Sequence, residues 1–217
     1  VSLFFKIDFL MLPAMRSESE LGLYGTAYKF IDALLFIPPV FTFAIFPLLS
    51  RYAVSSADRF SQAFSVATKL LLVLAFPICV GTTLLGHEII GLSFGEAFLP
   101  QSAIALQILI WFLPLSFVNG VTQYVFIALN RQRLITVNFA ITTAVNVGTN
   151  FLLIPRYGYV GASLTTILSE VVLLAVYLVM MRSLLPVSPL LKVAIRPFVA
   201  TVIMGGVVLL LRFLNPW

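Results

Sequence analysis

Residues 64–85, FSVATKLLLVLAFPICVGTTLL, decide the fold class. The run carries a single charge, Lys69, and is apolar without alternation. About 20 such residues in a helix rise about 30 Å, which matches the hydrocarbon core of a bilayer. A membrane-spanning strand would be about ten residues long and would alternate apolar with polar. Residues 64–85 therefore read as a transmembrane helix, and the rest of the chain repeats the pattern. On the N-terminal side lies a shorter apolar stretch, Val1 to Met15, with Lys6 and Asp8 inside it. A polar turn, Arg16-Ser17-Glu18-Ser19-Glu20, leads to a second run from Leu21 to about Ser50. On the C-terminal side, spans fall within Ala103–Leu129, Leu134–Ile154, Tyr159–Met181 and Pro197–Leu214. The expectation is an all-α polytopic transmembrane helix bundle with about seven spanning helices, residues 1–217 forming a single transmembrane domain.

Composition agrees. Of the 217 residues 61% are hydrophobic and 10% charged, and the mean hydropathy is +1.10. A soluble domain carries about 25% charged residues, and this chain has too little polar surface to cover a water-soluble fold. The net charge of +5 does not imply nucleic acid as a partner, because the basic residues sit between apolar runs where topology explains them. Cys79, the single cysteine, lies in an apolar run and is expected to pack in the core. Residue 1 is Val and no signal peptide precedes the first run, so the chain is expected to be a fragment that starts inside a longer gene.

The basic residues also orient the bundle. Arg51, Arg59, Lys69, Arg131, Arg133, Arg182, Lys192 and Arg196 lie around the connections after the second, fourth and sixth spans. The connections after the first, third and fifth hold only Arg16 and Arg156. The positive-inside bias puts the even-numbered connections in the cytoplasm. Ser55 to Asp58 has the spacing of a capping box that starts a helix. Gly95-Glu96-Ala97-Phe98-Leu99-Pro100 reads as a short external segment at the membrane surface. Pro38, Pro39, Pro47, Pro77 and Pro114 lie inside helical runs or near their ends, and each removes a backbone donor and bends its helix.

Polar residues within the spans mark the candidate site. Asn138, Thr142, Asn146 and Asn150 recur every four residues on the fifth span. Ser116, Asn119 and Gln123 on the fourth span, three and four apart, and Ser163, Thr166, Glu170 and Tyr177 on the sixth, three, four and seven apart, also keep helical spacing. Such residues either tie helices together or line a hydrated cavity. Lys6 lies about ten residues before the outer turn, about 15 Å deep and near the midplane. A charge there costs about 2.5–3.5 kcal/mol on insertion scales and calls for a partner. Lys6 and Asp8 are two apart and face different ways, whereas Lys29 and Asp32 are three apart and can pair on their own helix. The candidate substrate-binding or cavity residues are thus Lys6, Asp8, Lys29, Asp32, Asn146, Asn150 and Glu170. No catalytic residues are expected: His87 is alone, and there is neither a phosphate-binding glycine loop nor a nucleophile elbow. Gly158-Tyr159-Val160-Gly161-Ala162 follows Pro155 and reads as a tight external turn between two helices.

Three segments carry a resemblance. Tyr24-Gly25-Thr26-Ala27-Tyr28-Lys29-Phe30-Ile31-Asp32, running on to Ala44-Ile45-Phe46-Pro47-Leu48-Leu49-Ser50-Arg51, resembles the eighth helix of polysaccharide flippases. Leu153-Ile154-Pro155-Arg156-Tyr157-Gly158-Tyr159-Val160-Gly161-Ala162-Ser163 is similar to their loop between helices eleven and twelve, and Gly95-Glu96-Ala97-Phe98 to their external segment after the ninth. These are the O-antigen and exopolysaccharide transporters of the multidrug/oligosaccharidyl-lipid/polysaccharide exporter superfamily. The resemblance implies helices seven to thirteen of a fourteen-helix transporter, with a missing N-terminal lobe of the same protein as partner. It implies a multi-pass protein of the bacterial cytoplasmic (inner) membrane that is not an enzyme. Its implied work is translocation of an undecaprenyl-diphosphate-linked oligosaccharide across that membrane, among membrane lipids. No cofactor is expected, and coupling to a proton or sodium gradient leaves no mark in the sequence.

Other readings remain at this point. One is a peptidoglycan-precursor flippase or a cation-coupled drug exporter of the same superfamily. Another is a membrane-embedded glycan polymerase or ligase, which calls for a large external loop with catalytic side chains. The longest external loop, about residues 86–102, is small.

Overall fold

The structure, a computed structural model, describes residues 6–182 and 190–214. Its helices are α1 (Ile7–Met15), α2 (Glu18–Leu34), α3 (Ile37–Ser55), α4 (Ala57–Phe94), α5 (Gln101–Leu109), α6 (Leu113–Ala128), α7 (Gln132–Met181) and α8 (Leu190–Leu214), with 3-10 turns at Glu96–Phe98 and Ile110–Phe112. There is no strand among the described residues. Several of these helices combine into spans. α2 and α3 run on as one bent segment, α5 and α6 as another, and α7 is two helices that meet at Gly158 (φ 55°, ψ −133°). Six crossing segments result, beside α1, whose expected beginning at residues 1–5 lies outside the described residues. The chain is a multi-pass helical membrane protein.

Proline chemistry sets the main breaks. Pro38 and Pro39 stand in the first turn of α3. Without N–H groups they leave carbonyls one turn earlier unanswered, so the helix yields at Leu35–Phe36 instead of running straight from Glu18. Pro114 likewise opens α6 just after the 3-10 turn. α4 is 38 residues long, about 57 Å, with Pro77 near its middle. Residues 64–85 are only its apolar centre. Both ends continue as helix into the headgroup zone, where the polar residues that stopped the sequence reading are tolerated. α8 likewise begins at Leu190, earlier than the expected Pro197.

Caps define the ends. Ser17 accepts the Glu20 amide at 3.3 Å and starts α2. At α4 the cap is Ser56, which accepts the Arg59 amide at 3.4 Å, and not the expected Ser55. Ser55 is still helical, and its hydroxyl donates back to the Arg51 carbonyl at 3.0 Å. Only Ser56 has the extended backbone that lets a side chain reach forward to the first turn. Asn130 closes α6 in the left-handed region (φ 56°), a conformation asparagine tolerates well.

The connections sort onto two sides. Ser102 donates to the Leu23 carbonyl at 2.9 Å, the Lys29 ammonium lies 6.0 Å from the Phe94 ring centre, and Glu20 reaches the Gly158 turn. These contacts gather residues 16–17, 95–100 and 158 on one face. The basic ends at Arg51, Arg59, Arg131, Arg133 and Arg182 lie on the opposite face, which the positive-inside bias assigns to the cytoplasm. The innermost span is α5–α6, carrying buried Leu106, Leu109, Phe117, Val121 and Phe126. Cys79 is buried against it, donating to the Ile110 carbonyl. α8 packs along α4, where the Phe76 and Phe198 rings meet edge to face at 5.4 Å.

Candidate functional site

The bend between α2 and α3 opens a cavity of about 500 Å³ inside the bundle. Pro38 and Pro39 at the bend line it, with Gly120 of α6 facing Pro38. The walls come from α2, α3, α6 and both halves of α7, with Lys6 at the start of α1. Its polar lining is Lys6, Asp32, Ser116, Asn119, Gln123 and Glu170. The polar stripe of the fourth span therefore meets Glu170 of the sixth here.

Lys6 donates to Asp32 at 3.0 Å, with side chains 47% and 44% exposed. The ammonium also lies 5.5 Å from the Phe9 and Tyr28 ring centres. An ion pair this open contributes about 0–1 kcal/mol, and each exposed cation–π contact about 0.5–1 kcal/mol. Lys6 is held in place but readily exchanged to another anion. The helix-internal pairing expected of Lys29 and Asp32 is not formed. Asp32 turns inward to Lys6, and Lys29 is exposed towards the outer end of α4.

Glu170 forms the deeper wall and is only 1% exposed. Asn119 donates to its Oε2 at 2.6 Å and to its backbone carbonyl at 3.0 Å. Ser116 stands beside the carboxyl without reaching hydrogen-bonding geometry at Oε1.

Asp8 occupies a separate polar pocket with Thr142, Asn146, Thr166 and Ser169. It is buried, accepts a short hydrogen bond from the Tyr24 hydroxyl, and lies 3.5 Å from Thr166 Oγ1. Phe139 and Leu173 line both this pocket and the cavity. Lys6 and Asp8 thus face different surroundings, as their spacing requires.

The asparagine ladder joins the two halves of α7. Asn138 donates to the Leu173 carbonyl at 2.9 Å, and Asn146 to Ser169 Oγ at 2.9 Å. Asn150 is fully buried and donates to Asn146 Oδ1 at 3.1 Å. Asn146 reaches the Asp8 pocket, while Asn150 lines neither space. Sequence reasoning did not single out Tyr24, Tyr28 or Asn119 as site residues. The Ser116–Asn119–Gln123 stripe of the fourth span signalled Asn119, but a tyrosine in an apolar run looks like core until a carboxylate is seen beside it.

Fold and site together define a multi-pass helical membrane protein built around a polar internal cavity, the class to which transporters belong. The chain belongs to the lipid II flippase MurJ family, whose model matches residues 30–217. This family lies within the exporter superfamily that the turn and helix motifs resemble. The probable flippase AglR of Haloferax volcanii is 27% identical over 169 residues, covering 75% of this chain and 35% of that protein. The probable low-salt glycan biosynthesis flippase Agl15 of the same organism is 28% identical over 166 residues, covering 75% and 34%. The chain spans about a third of the length of these relatives. A solved structure described as lipid II flippase MurJ in an inward closed conformation shares the fold, with TM-score 0.72 and 18% identity over 88% of this chain and 41% of that one.

Proposed function

We propose that the chain forms part of a flippase that moves an undecaprenyl-diphosphate-linked oligosaccharide between the leaflets of the cytoplasmic membrane. On this reading its spans correspond to helices seven to thirteen of a fourteen-helix transporter, and an N-terminal lobe supplies the facing wall. The observation that carries the proposal is the exchangeable Lys6–Asp32 pair at the edge of a 500 Å³ polar cavity. A diphosphate brings at least two negative charges into a medium where isolated charge is costly. A fixed cation facing a hydrated space offsets that cost. Lys6 trades a half-exposed carboxylate for the diphosphate with little net loss. Lys6, Asp32, Asn119 and Glu170 are the cavity residues on which the proposal rests, and Asp8 and Asn146 support the helices behind them.

A peptidoglycan precursor is the second reading, favoured by the description of the matching family. The two relatives whose names concern glycan flipping support the first. The test is translocation by the full-length protein in liposomes, with a lipid-linked oligosaccharide and lipid II offered side by side. Faster movement of the oligosaccharide is expected. Movement of lipid II alone would replace the first reading with the second, and movement of neither would remove both.

A further inference from the structure

A second group of cations, remote from the cavity, has no role in that scheme. Lys69 on α4 and Arg196 on α8 line one cleft of about 430 Å³ together with Val193 and Ile195. Neither forms an ion pair: the pairs among the described residues are Lys6–Asp32 and Arg16–Glu20. Residues 183–189, which lead into α8, contain no Asp or Glu. The closest acidic residue to Lys69 along α4 is Asp58, three turns nearer the helix start.

Depth defines what such a cleft meets. The middle of α4 is near Phe76, so Lys69 lies about 10 Å from the midplane on the basic side at 1.5 Å per residue. The hydrocarbon boundary lies about 15 Å out. A lysine stem covers the remaining 5 Å or so by snorkelling, which places the ammonium at the level of the lipid phosphates. Towards the midplane the same seam turns apolar and open, with Val73 and Leu74 on α4 and Phe198, Val199 and Val202 on α8 all exposed. Two like charges from different helices repel at low dielectric, and an anion between them turns repulsion into a bridge. Basic pockets between membrane helices on the cytoplasmic side are a recognised setting for anionic lipid headgroups.

We propose that Lys69 and Arg196 together bind the phosphate of one anionic phospholipid of the cytoplasmic leaflet, whose acyl chains lie on the apolar seam and which fastens α8 to α4. The inference is independent of the molecule transported.

The experiment uses the full-length transporter in nanodiscs of phosphatidylglycerol and phosphatidylcholine, with retained lipid counted by native mass spectrometry. One phosphatidylglycerol is expected to remain in preference to phosphatidylcholine. Lys69→Gln/Arg196→Gln is expected to cut its retention at least tenfold, while Lys69→Arg/Arg196→Lys keeps it. Arg59→Gln, also on α4 but outside the cleft, leaves retention unchanged. Equal retention in the glutamine pair, or no preference for the anionic lipid, overturns the proposal. So does displacement of the lipid by millimolar inorganic phosphate, which would mark a free-anion site. A photoreactive residue at Val193 gives a reading that does not depend on the glutamine pair folding. Cross-linking to phosphatidylglycerol supports the site, and cross-linking to another part of the transporter's own chain sinks it.

Discussion

Glu20, in the first turn of α2, accepts the backbone N–H of Tyr159 at 3.0 Å and so caps the second half of α7 across 139 residues of chain. The contact needs Gly158. A Cβ there would lie 2.0 Å from Glu20 Oε2, and the backbone sits at positive φ. Gly158→Ala therefore has to strain the turn and expel the carboxylate. A loss of about 1–3 kcal/mol is expected, read as a lower melting temperature of the detergent-solubilised full-length protein. Glu20→Gln keeps an acceptor and is expected to lose less than Glu20→Ala, which forfeits a cap contributing about 1 kcal/mol. Equal melting of Gly158→Ala and wild type would contradict this account.

The Lys6–Asp32 pair separates a headgroup site from a purely structural one. Lys6→Ala is expected to lower transport at least tenfold with membrane levels maintained. Lys6→Arg keeps the charge in a different geometry and is expected to retain part of the rate. If Lys6 only neutralises Asp32, the double variant Lys6→Ala/Asp32→Ala regains what Lys6→Ala lost, because no unpaired charge remains. Normal transport by that double variant would eliminate the headgroup role.

Sidedness is testable without any substrate. Ser19, Ser55, Ser93 and Gln132 are exposed at helix ends. Cysteines at Ser19 and Ser93 are expected to react with an impermeant thiol reagent added outside cells. Cysteines at Ser55 and Gln132 are expected to react only after the membrane is opened. External labelling at Gln132 would invert the bundle.

The asparagine ladder gives a prediction in which stability and rate part company. Asn138 and Asn146 bond across to Leu173 and Ser169, so Asn138→Leu is expected to cost about 0.6–2 kcal/mol of stability. Transport per folded molecule is expected to remain. A cysteine at the buried Asn150 is expected to label slowly from the aqueous phase. Full folding with lost transport in Asn138→Leu would instead place the ladder in the substrate path.

The spans were legible because lipid imposes one rule: about 20 apolar residues per crossing. Their true ends were less so, since α4 stays helical through polar residues at Asp58 and Glu88. Ser55 and Ser56 differ only in backbone conformation, which no spacing rule reports. At the site, the separation of Lys6 from Asp8 followed from helix geometry. Asp32 and Glu170 were both candidate partners for Lys6, and spacing could not choose between them, because Asp32 is 26 residues from Lys6 and only three from Lys29, its apparent partner on its own helix. The stripes of Asn119 and Glu170 were visible, but only packing shows that they meet each other rather than lipid. Tyr24 offered no signal at all until Asp8 was found beside it.

The Gly158 turn has a mechanical consequence. Two membrane helices are joined by a single non-helical residue, laced together by asparagine along their length and clamped at the top by Glu20. Such a hairpin has no slack and behaves as a stiff lever. Any tilting of this hairpin against the bundle is then absorbed elsewhere, and the break in helix beside the cavity is the Leu35–Phe36 bend between α2 and α3.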